Sequence, residues 1–389
     1  MKAFSYLNPT RAVFGEDALD RLGELVRYAE KILVVHGESS AEKNGLLAQV
    51  FGRLEAAGKP FAIFGGVRAN PLYEKAREGV ALAKRERVDF ILAVGGGSVI
   101  DTAKAIALGA VYDGELWDFY CAAAEPSSCL PVGAVLTVPG SGSEMSDCSV
   151  LTRGEQKWFC DTDLQRPVFA VLDLDSVLTV SRFQLLCGAF DTFMHAFERY
   201  MSAESSPLIE GLAESVMRGV LSAVDRALAD PADREAKAEL LVAGGLAQNG
   251  LLALGSSGGD WAVHALANEI SGTYDTPHGA ALAAIWAHWA RYVRPRMSEK
   301  WGMFARNVMG VPGQDETAGD AGIEALAEKL RSWGLPVSLA ELGMSPDEET
   351  ICSLARRATR GDNEPVGKLS RLTKEEVKTI YRISLRRKG

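Results

Sequence analysis

The 389-residue chain is short of basic charge, of histidine and of paired cysteine. Lys and Arg total 42 against 51 Asp and Glu, a net charge of −9. A surface that acidic repels phosphate backbones and anionic lipid, so neither nucleic acid nor membrane is the expected partner. No apolar run reaches the roughly 18 residues that a membrane span needs. The opening MKAFSYLNPT lacks the basic-then-apolar character of a secretory signal. Six cysteines, at 121, 129, 148, 160, 187 and 352, form no CxxC pair and are too sparse for a disulfide scaffold. Free thiols and a cytoplasmic location are therefore expected. There is no internal repeat and no low-complexity stretch, and the closing Arg386-Arg387-Lys388 reads as a solvated helix end.

What is present is 47% hydrophobic and 24% charged residues, enough to bury cores in two or three domains. Short apolar runs at 31–35, 61–64, 90–94, 132–138 and 168–172 alternate with helical patterns through Leu46, Val50 and Leu54 and across 73–88. That alternation predicts βαβ units and a mainly parallel sheet. Beyond about residue 181, segments near 182–203, 205–229, 233–255, 278–296, 316–334, 346–359 and 373–386 carry three-to-four-residue apolar spacing, with no convincing strand. The reading is an α/β domain over 1–180 and an all-helical domain over 181–389, with the site expected where they meet.

The glycines cluster in two places. Gly95-Gly96-Gly97-Ser98 stands between the apolar run 90–94 and a helix expected over 102–108. Backbone N–H groups in such a turn can cradle a phosphate, but the spacing is neither G-x-G-x-x-G nor a P-loop, and a tight packing turn is the alternative. Asp101 is a candidate ligand contact or a helix cap. Thr137-Val138-Pro139-Gly140-Ser141-Gly142-Ser143-Glu144 offers hydroxyls and amides suited to ribose and nicotinamide, although Ser/Gly turns are common.

Only five histidines occur, at 36, 195, 264, 278 and 288. Asp191 and His195 are i and i+4, so they share a helix face. His264 and His278 each stand near the start of a predicted helix. One carboxylate oxygen and three imidazole nitrogens suit a divalent first-row ion such as Fe²⁺ or Zn²⁺, which could act as a Lewis acid on an oxygen-bearing substrate. Taken singly, each histidine is more often a hydrogen-bonded structural residue, and spacing alone does not bring the four together.

Four blocks together resemble the iron-containing (group III) alcohol dehydrogenases, nearest to their butanol dehydrogenase and broad aldehyde reductase branch. They are Gly-Gly-Gly-Ser-x-x-Asp-x-Ala-Lys at 95–104, Pro-Gly-Ser-Gly-Ser-Glu at 139–144, Gly-x-x-Asp-x-x-x-His-x-x-Glu at 188–198 and His-x13-His-Gly at 264–279. The resemblance implies a dehydroquinate-synthase-like fold and a nicotinamide dinucleotide, NAD or NADP. It also implies one metal held by Asp191, His195, His264 and His278, and transfer of hydride to or from a small primary alcohol or aldehyde. Implied coenzyme contacts are Asn70, Gly95 to Ser98, Asp101, Thr137, Val138, Ser141, Ser143 and Lys157, and a homodimer is expected. Family members usually carry a histidine where this chain has Asn268, an alanine at Thr192 and a threonine at Ser141. Asn268 is therefore the uncertain relay position for the alcohol proton. Glu38, after the first apolar run, is suited to ribose hydroxyls and opposes a 2′-phosphate, so NAD is expected in preference to NADP; Ser40 and Lys43 act the other way. The alternatives are a zinc polyol dehydrogenase or a dehydroquinate-synthase-type lyase on the same fold, or a non-catalytic oligomer disabled at Asn268.

Overall fold

The computed structural model describes residues 1–38 and 45–386. The chain divides into two compact units, one formed by Leu7–Leu185 with Ala232–Asn249, the other by Met1–Tyr6, Leu186–Pro231 and Gly250–Gly389. Three segments thus stand across the sequence division at residue 180: the first six residues, residues 181–185 and Ala232–Asn249.

The first unit is built on a six-stranded parallel sheet. Its strands are β1 (Arg11–Phe14), β2 (Ile32–Gly37), β3 (Phe61–Val67), β4 (Phe90–Gly95), β5 (Val132–Leu136) and β8 (Phe169–Leu172), in the order β1-β8-β5-β4-β2-β3. The apolar runs of β2 and β4 are continuous because both faces are covered. Leu33, Val35, Ile91 and Ala93 enter one core with Ile100 and Ala103 of helix α4 (Gly97–Ala110). Ile32, Val34, Leu92 and Val94 enter the other, with Val50 and Leu54 of α2 (Leu46–Ala56), which follows the short α1 (Leu22–Leu25). The chain leaves β2 for the edge strand β3, crosses by α3 (Tyr73–Glu86) to β4 on the other side of β2, and then continues to β5. Strand order therefore reverses between β2 and β4, whose carboxyl ends are Gly37 and Gly95. Open α/β sheets bind ligands at such a reversal.

Several local details differ from the sequence reading. The antiparallel hairpin β6 (Cys148–Arg153) and β7 (Gln156–Asp161) was not anticipated, since its mixed polar strands lack clean alternation and its turn is one Gly154-Glu155 pair with φ +61° at the glycine. Nor was β1, a four-residue edge strand whose side chains are mostly exposed. Helix α4 begins at Gly97 rather than 102, with Gly96 as its N-cap. Asp101 lies in its second turn and is therefore not a cap.

The remaining helices are α5 (Trp117–Tyr120), α6 (Leu174–Leu178), α7 (Arg182–Tyr200), α8 (Pro207–Ala229), α9 (Arg234–Gln248), α10 (Ala262–Tyr274), α11 (His278–Val293), α12 (Ser298–Asn307), α13 (Asp315–Trp333), α14 (Glu348–Ala358) and α15 (Lys374–Ser384). The short α12 escaped the sequence reading because Gly302 interrupts its pattern. Glycine is needed where α12 meets α13: a methyl on Gly322 would lie 2.6 Å from Ala305 Cβ, and one on Gly319 2.9 Å from Trp301 Cβ. Phe193 and Phe197 of α7 pack with Trp286 and Trp289 of α11 and Trp301 and Phe304 of α12, all fully buried. These two phenylalanines come two residues after Asp191 and His195, on the far side of the helix. The aromatic core thus braces the helix behind its polar face. Among the described residues no helix is long and apolar enough to cross a membrane.

Candidate functional site

In the helical unit, α7 presents Asp191, His195 and Glu198 at i, i+4 and i+7 on one buried face. Asp191 Oδ1 is 3.5 Å from His195 Nε2, 3.5 Å from His264 Nε2 and 3.8 Å from His278 Nε2. His264 comes from the first turn of α10, and His278 opens α11. The His-Gly pair has a steric reason: a methyl on Gly279 would collide with the carbonyl oxygen of Cys187, one turn before Asp191. Glycine there lets α11 start close enough to α7 to bring His278 to the carboxylate.

These separations fit an ion. Four ligands about 2.1 Å from a tetrahedral centre lie about 3.4 Å from one another, which is too long for good hydrogen bonds among themselves. Among the described residues, Asp191 Oδ1 and His264 Nε2 are both buried and make no hydrogen bond, and buried polar atoms in that condition call for a partner. Burial alone would raise the Asp191 pKa, but His195, His278 and His264 outweigh it and hold the carboxyl well below the usual carboxylate range. Burial pushes His195 down to about 3, against the pull of Asp191, so its imidazole is neutral and keeps a lone pair for a ligand. Burial also disfavours charge on His264, yet Glu198 and Asp191 prevail and lift it to about 9. Two carboxylates thus favour positive charge where a divalent ion would sit. His288, by contrast, is a core residue with Nε2 3.1 Å from the Val337 carbonyl.

Glu198 was part of the sequence motif but carried no assigned role. It is fully buried, and its carboxylate accepts from Val263 N at 2.8 Å, from His264 N at 3.1 Å and from His264 Nδ1. Its phase on α7 was the available signal. Asn268 stands one turn after His264 on α10 and is half-buried.

The expected coenzyme residues form three groups in the sheet unit. Gly95 ends β4, Gly96 caps α4, and Gly97 and Ser98 form its first turn, so their N–H groups lie at a helix N-terminus beside the strand-order reversal. The second loop lies directly against them. Thr137 N donates to the Gly95 carbonyl at 3.1 Å, a methyl on Gly96 would lie 3.3 Å from Val138 Cβ, and one on Gly97 would strike Ser141 Oγ. Asp101 ties α4 to the second loop and to β6, accepting from Ser143 Oγ at 2.5 Å and from Val150 N at 3.1 Å. Asn70 and Lys157 pair with each other, Lys157 Nζ donating to Asn70 Oδ1 at 3.0 Å. Asn70 has φ +52°, a conformation asparagine tolerates. Glu38 is exposed just past the carboxyl end of β2. Ser40 and Lys43 lie outside the described residues.

Residues 9–174 match the iron-containing alcohol dehydrogenase family, and residues 186–385 match the C-terminal region of the Fe-containing alcohol dehydrogenase family. The chain is 35% identical to a protein of Bacillus subtilis named probable NADH-dependent butanol dehydrogenase 1, over 99% of this chain and all of that one. It is 31% identical to the Escherichia coli NADPH-dependent aldehyde reductase YqhD, covering 98% and 99% of the two chains. The crystal structure of NADH-dependent butanol dehydrogenase A from Thermotoga maritima superposes with a TM-score of 0.95, at 32% identity and 99% coverage of both chains. A parallel-sheet unit followed by helices is the dehydroquinate-synthase-like architecture the sequence implied. The chain belongs to the iron-containing alcohol dehydrogenase family.

Proposed function

We propose that this chain interconverts small primary alcohols and aldehydes, using one divalent metal, Fe²⁺ or Zn²⁺, and a nicotinamide dinucleotide. The observation that carries the reading is the Asp191–His195–His264 set, whose donor atoms lie within 4.8 Å of one another, with His278 Nε2 3.8 Å from Asp191 Oδ1 and buried, unsatisfied polar atoms among them. When bound, the ion supplies Lewis acidity toward the substrate oxygen and the coenzyme supplies or takes the hydride. The similar proteins named as butanol dehydrogenases and an aldehyde reductase point to the same chemistry, not to a polyol dehydrogenase or a lyase.

The chain's own residues have distinct tasks in this reading. Asp191, His195, His264 and His278 hold the ion. The first-turn N–H groups at Gly97 and Ser98 receive the pyrophosphate, as helix N-termini do for anions. Thr137, Val138, Ser141 and Ser143 line the neighbouring coenzyme positions, with Asp101 fixing that loop and Asn70 and Lys157 completing them. Glu38 accepts from the adenosine ribose and opposes a 2′-phosphate, giving a preference for NADH over NADPH. Asn268 occupies the relay position beside the substrate oxygen, where its amide orders water but cannot take the proton. A cytoplasmic homodimer is the proposed form. Six free cysteines support a reducing compartment, and the exposed edge strand β1 offers unpaired backbone groups to a second copy. The test is butanal reduction with NADH and NADPH on metal-stripped protein and on protein reloaded with Fe²⁺ or Zn²⁺. Metal-dependent turnover, faster with NADH, supports the reading; turnover without any ion refutes it, and absence of turnover under every loading favours the non-catalytic alternative.

A further inference from the structure

Helix α10 starts under unusual constraint. Its N-cap, Trp261, is a non-glycine residue at φ +65° and ψ +13°, with no side-chain cap. Gly259, two residues before it, has φ +79°, and a methyl there would lie 2.6 Å from the Glu198 carbonyl oxygen. That same carbonyl accepts from Asp260 N at 2.9 Å. The Glu198 side chain takes the amides of Val263 and His264, together with the His264 ring at Nδ1. One residue of α7 therefore holds the segment 259–264 by both its backbone and its carboxylate. A backbone kept in a sparsely populated conformation persists only where its surroundings fix it.

The chemistry at the ring follows from the acceptor. A carboxylate only accepts, so Nδ1 of His264 carries a hydrogen, and Nε2, 3.5 Å from Asp191 Oδ1, is the ring nitrogen turned toward the place of an ion. A carboxylate on the remote nitrogen of a metal-binding histidine fixes its tautomer and orientation and raises its basicity. His195 has no such support; its Nδ1 is buried without a hydrogen-bond partner. The charge count points the same way. A divalent ion with three neutral imidazoles and Asp191 leaves one positive charge in a buried site, and Glu198 neutralises it.

We infer that Glu198 is a positioning residue for the metal centre, setting the tautomer and aim of His264 and completing the charge balance of the site. The inference rests on the metal-dependent reading above. Glu198→Gln tests it, because the amide keeps the size of the side chain but removes the charge and one of the two acceptor oxygens. Metal-free wild-type and E198Q proteins are titrated with Co²⁺ and with Zn²⁺ against a competing chelator, with far-UV circular dichroism confirming that each is folded. The expected result is a folded E198Q protein that binds either ion about 10–100-fold more weakly, with a changed visible spectrum for bound Co²⁺. A dissociation constant within twofold of wild type, in folded E198Q, overturns the inference. Should E198Q fail to fold, wild-type protein decides. With ¹⁵N-labelled histidine and Zn²⁺, five residues give resolvable ring signals, and His264 must show a protonated Nδ1 and a metal-bound Nε2. The reverse assignment overturns the inference. Wild-type protein that takes up neither ion refutes the metal-dependent reading itself, an outcome distinct from a wild-type site that loads normally and ignores the E198Q change.

Discussion

Asn268 and Glu144 show how single side chains set measurable behaviour. An amide at position 268 neither gains nor loses a proton near neutrality, whereas imidazole titrates near pH 6.5 when unperturbed. General acid–base help typically contributes about 10²–10⁴-fold. Asn268→His is therefore expected to raise alcohol oxidation at pH 7 by about tenfold or more, with a new titration in a profile taken from pH 6 to 10. An unchanged rate and profile removes Asn268 from the proton path. Glu144 lies in the second loop with both carboxylate oxygens buried and unpartnered. Burial lifts its pKa from 4.5 to about 7, against smaller opposing effects of the local backbone and Lys104. The folded chain therefore holds more protons than the unfolded chain between about pH 4.5 and 7, and stability falls as pH rises through that window. Above it the penalty is on the order of 3 kcal/mol. Glu144→Gln should raise the melting temperature at pH 8 by several degrees and change it little at pH 4.5. An equal effect at both values would contradict a buried, protonated carboxyl.

At the scale of elements, the metal set depends on helix starts being brought to α7. Gly279→Ala forces a methyl onto the Cys187 carbonyl, a backbone atom that cannot rotate away. The start of α11 must move, so we expect a loss of about 1–3 kcal/mol in stability and metal binding weakened at least tenfold. Calorimetry and chelator competition on the same samples check both, and normal metal affinity would show that His278 tolerates displacement. The sequence made the ligand types legible because Asp191 and His195 share a helix face at i and i+4. It made the parallel sheet legible because β2 and β4 are uninterrupted apolar runs. It could not reveal Glu198 as the partner of His264, since that contact joins residues 66 positions apart. Asp101 shows the same limit: a residue beside a glycine loop suggests a cap or a ligand contact, and only its bonds to Ser143 and Val150 identify it as the tie from α4 to the second loop and β6. The β6–β7 hairpin and α12 were hidden because short mixed strands and a helix with a central glycine carry weak periodic signals.

At the scale of the whole molecule, the proposed reaction draws on separate parts of the chain: the carboxyl ends of β2 and β4, proposed to hold a dinucleotide, and α7, α10 and α11, proposed to hold an ion. Coenzyme choice belongs to the first part. Glu38→Gly should shift kcat/KM toward NADPH relative to NADH while leaving metal affinity unchanged, and a wild-type preference for NADPH would contradict the role given to Glu38. The central claim belongs to the second part and concerns every catalytic cycle. Its most direct test is butanal reduction with NADH by protein stripped of metal under anaerobic conditions, its metal content verified by elemental analysis, and then reloaded with Fe²⁺ or Zn²⁺, alongside His264→Ala treated identically. The account predicts no turnover from the stripped protein, recovery on adding the ion, and no recovery in the His264→Ala protein. Full turnover by protein shown to hold no metal would contradict it.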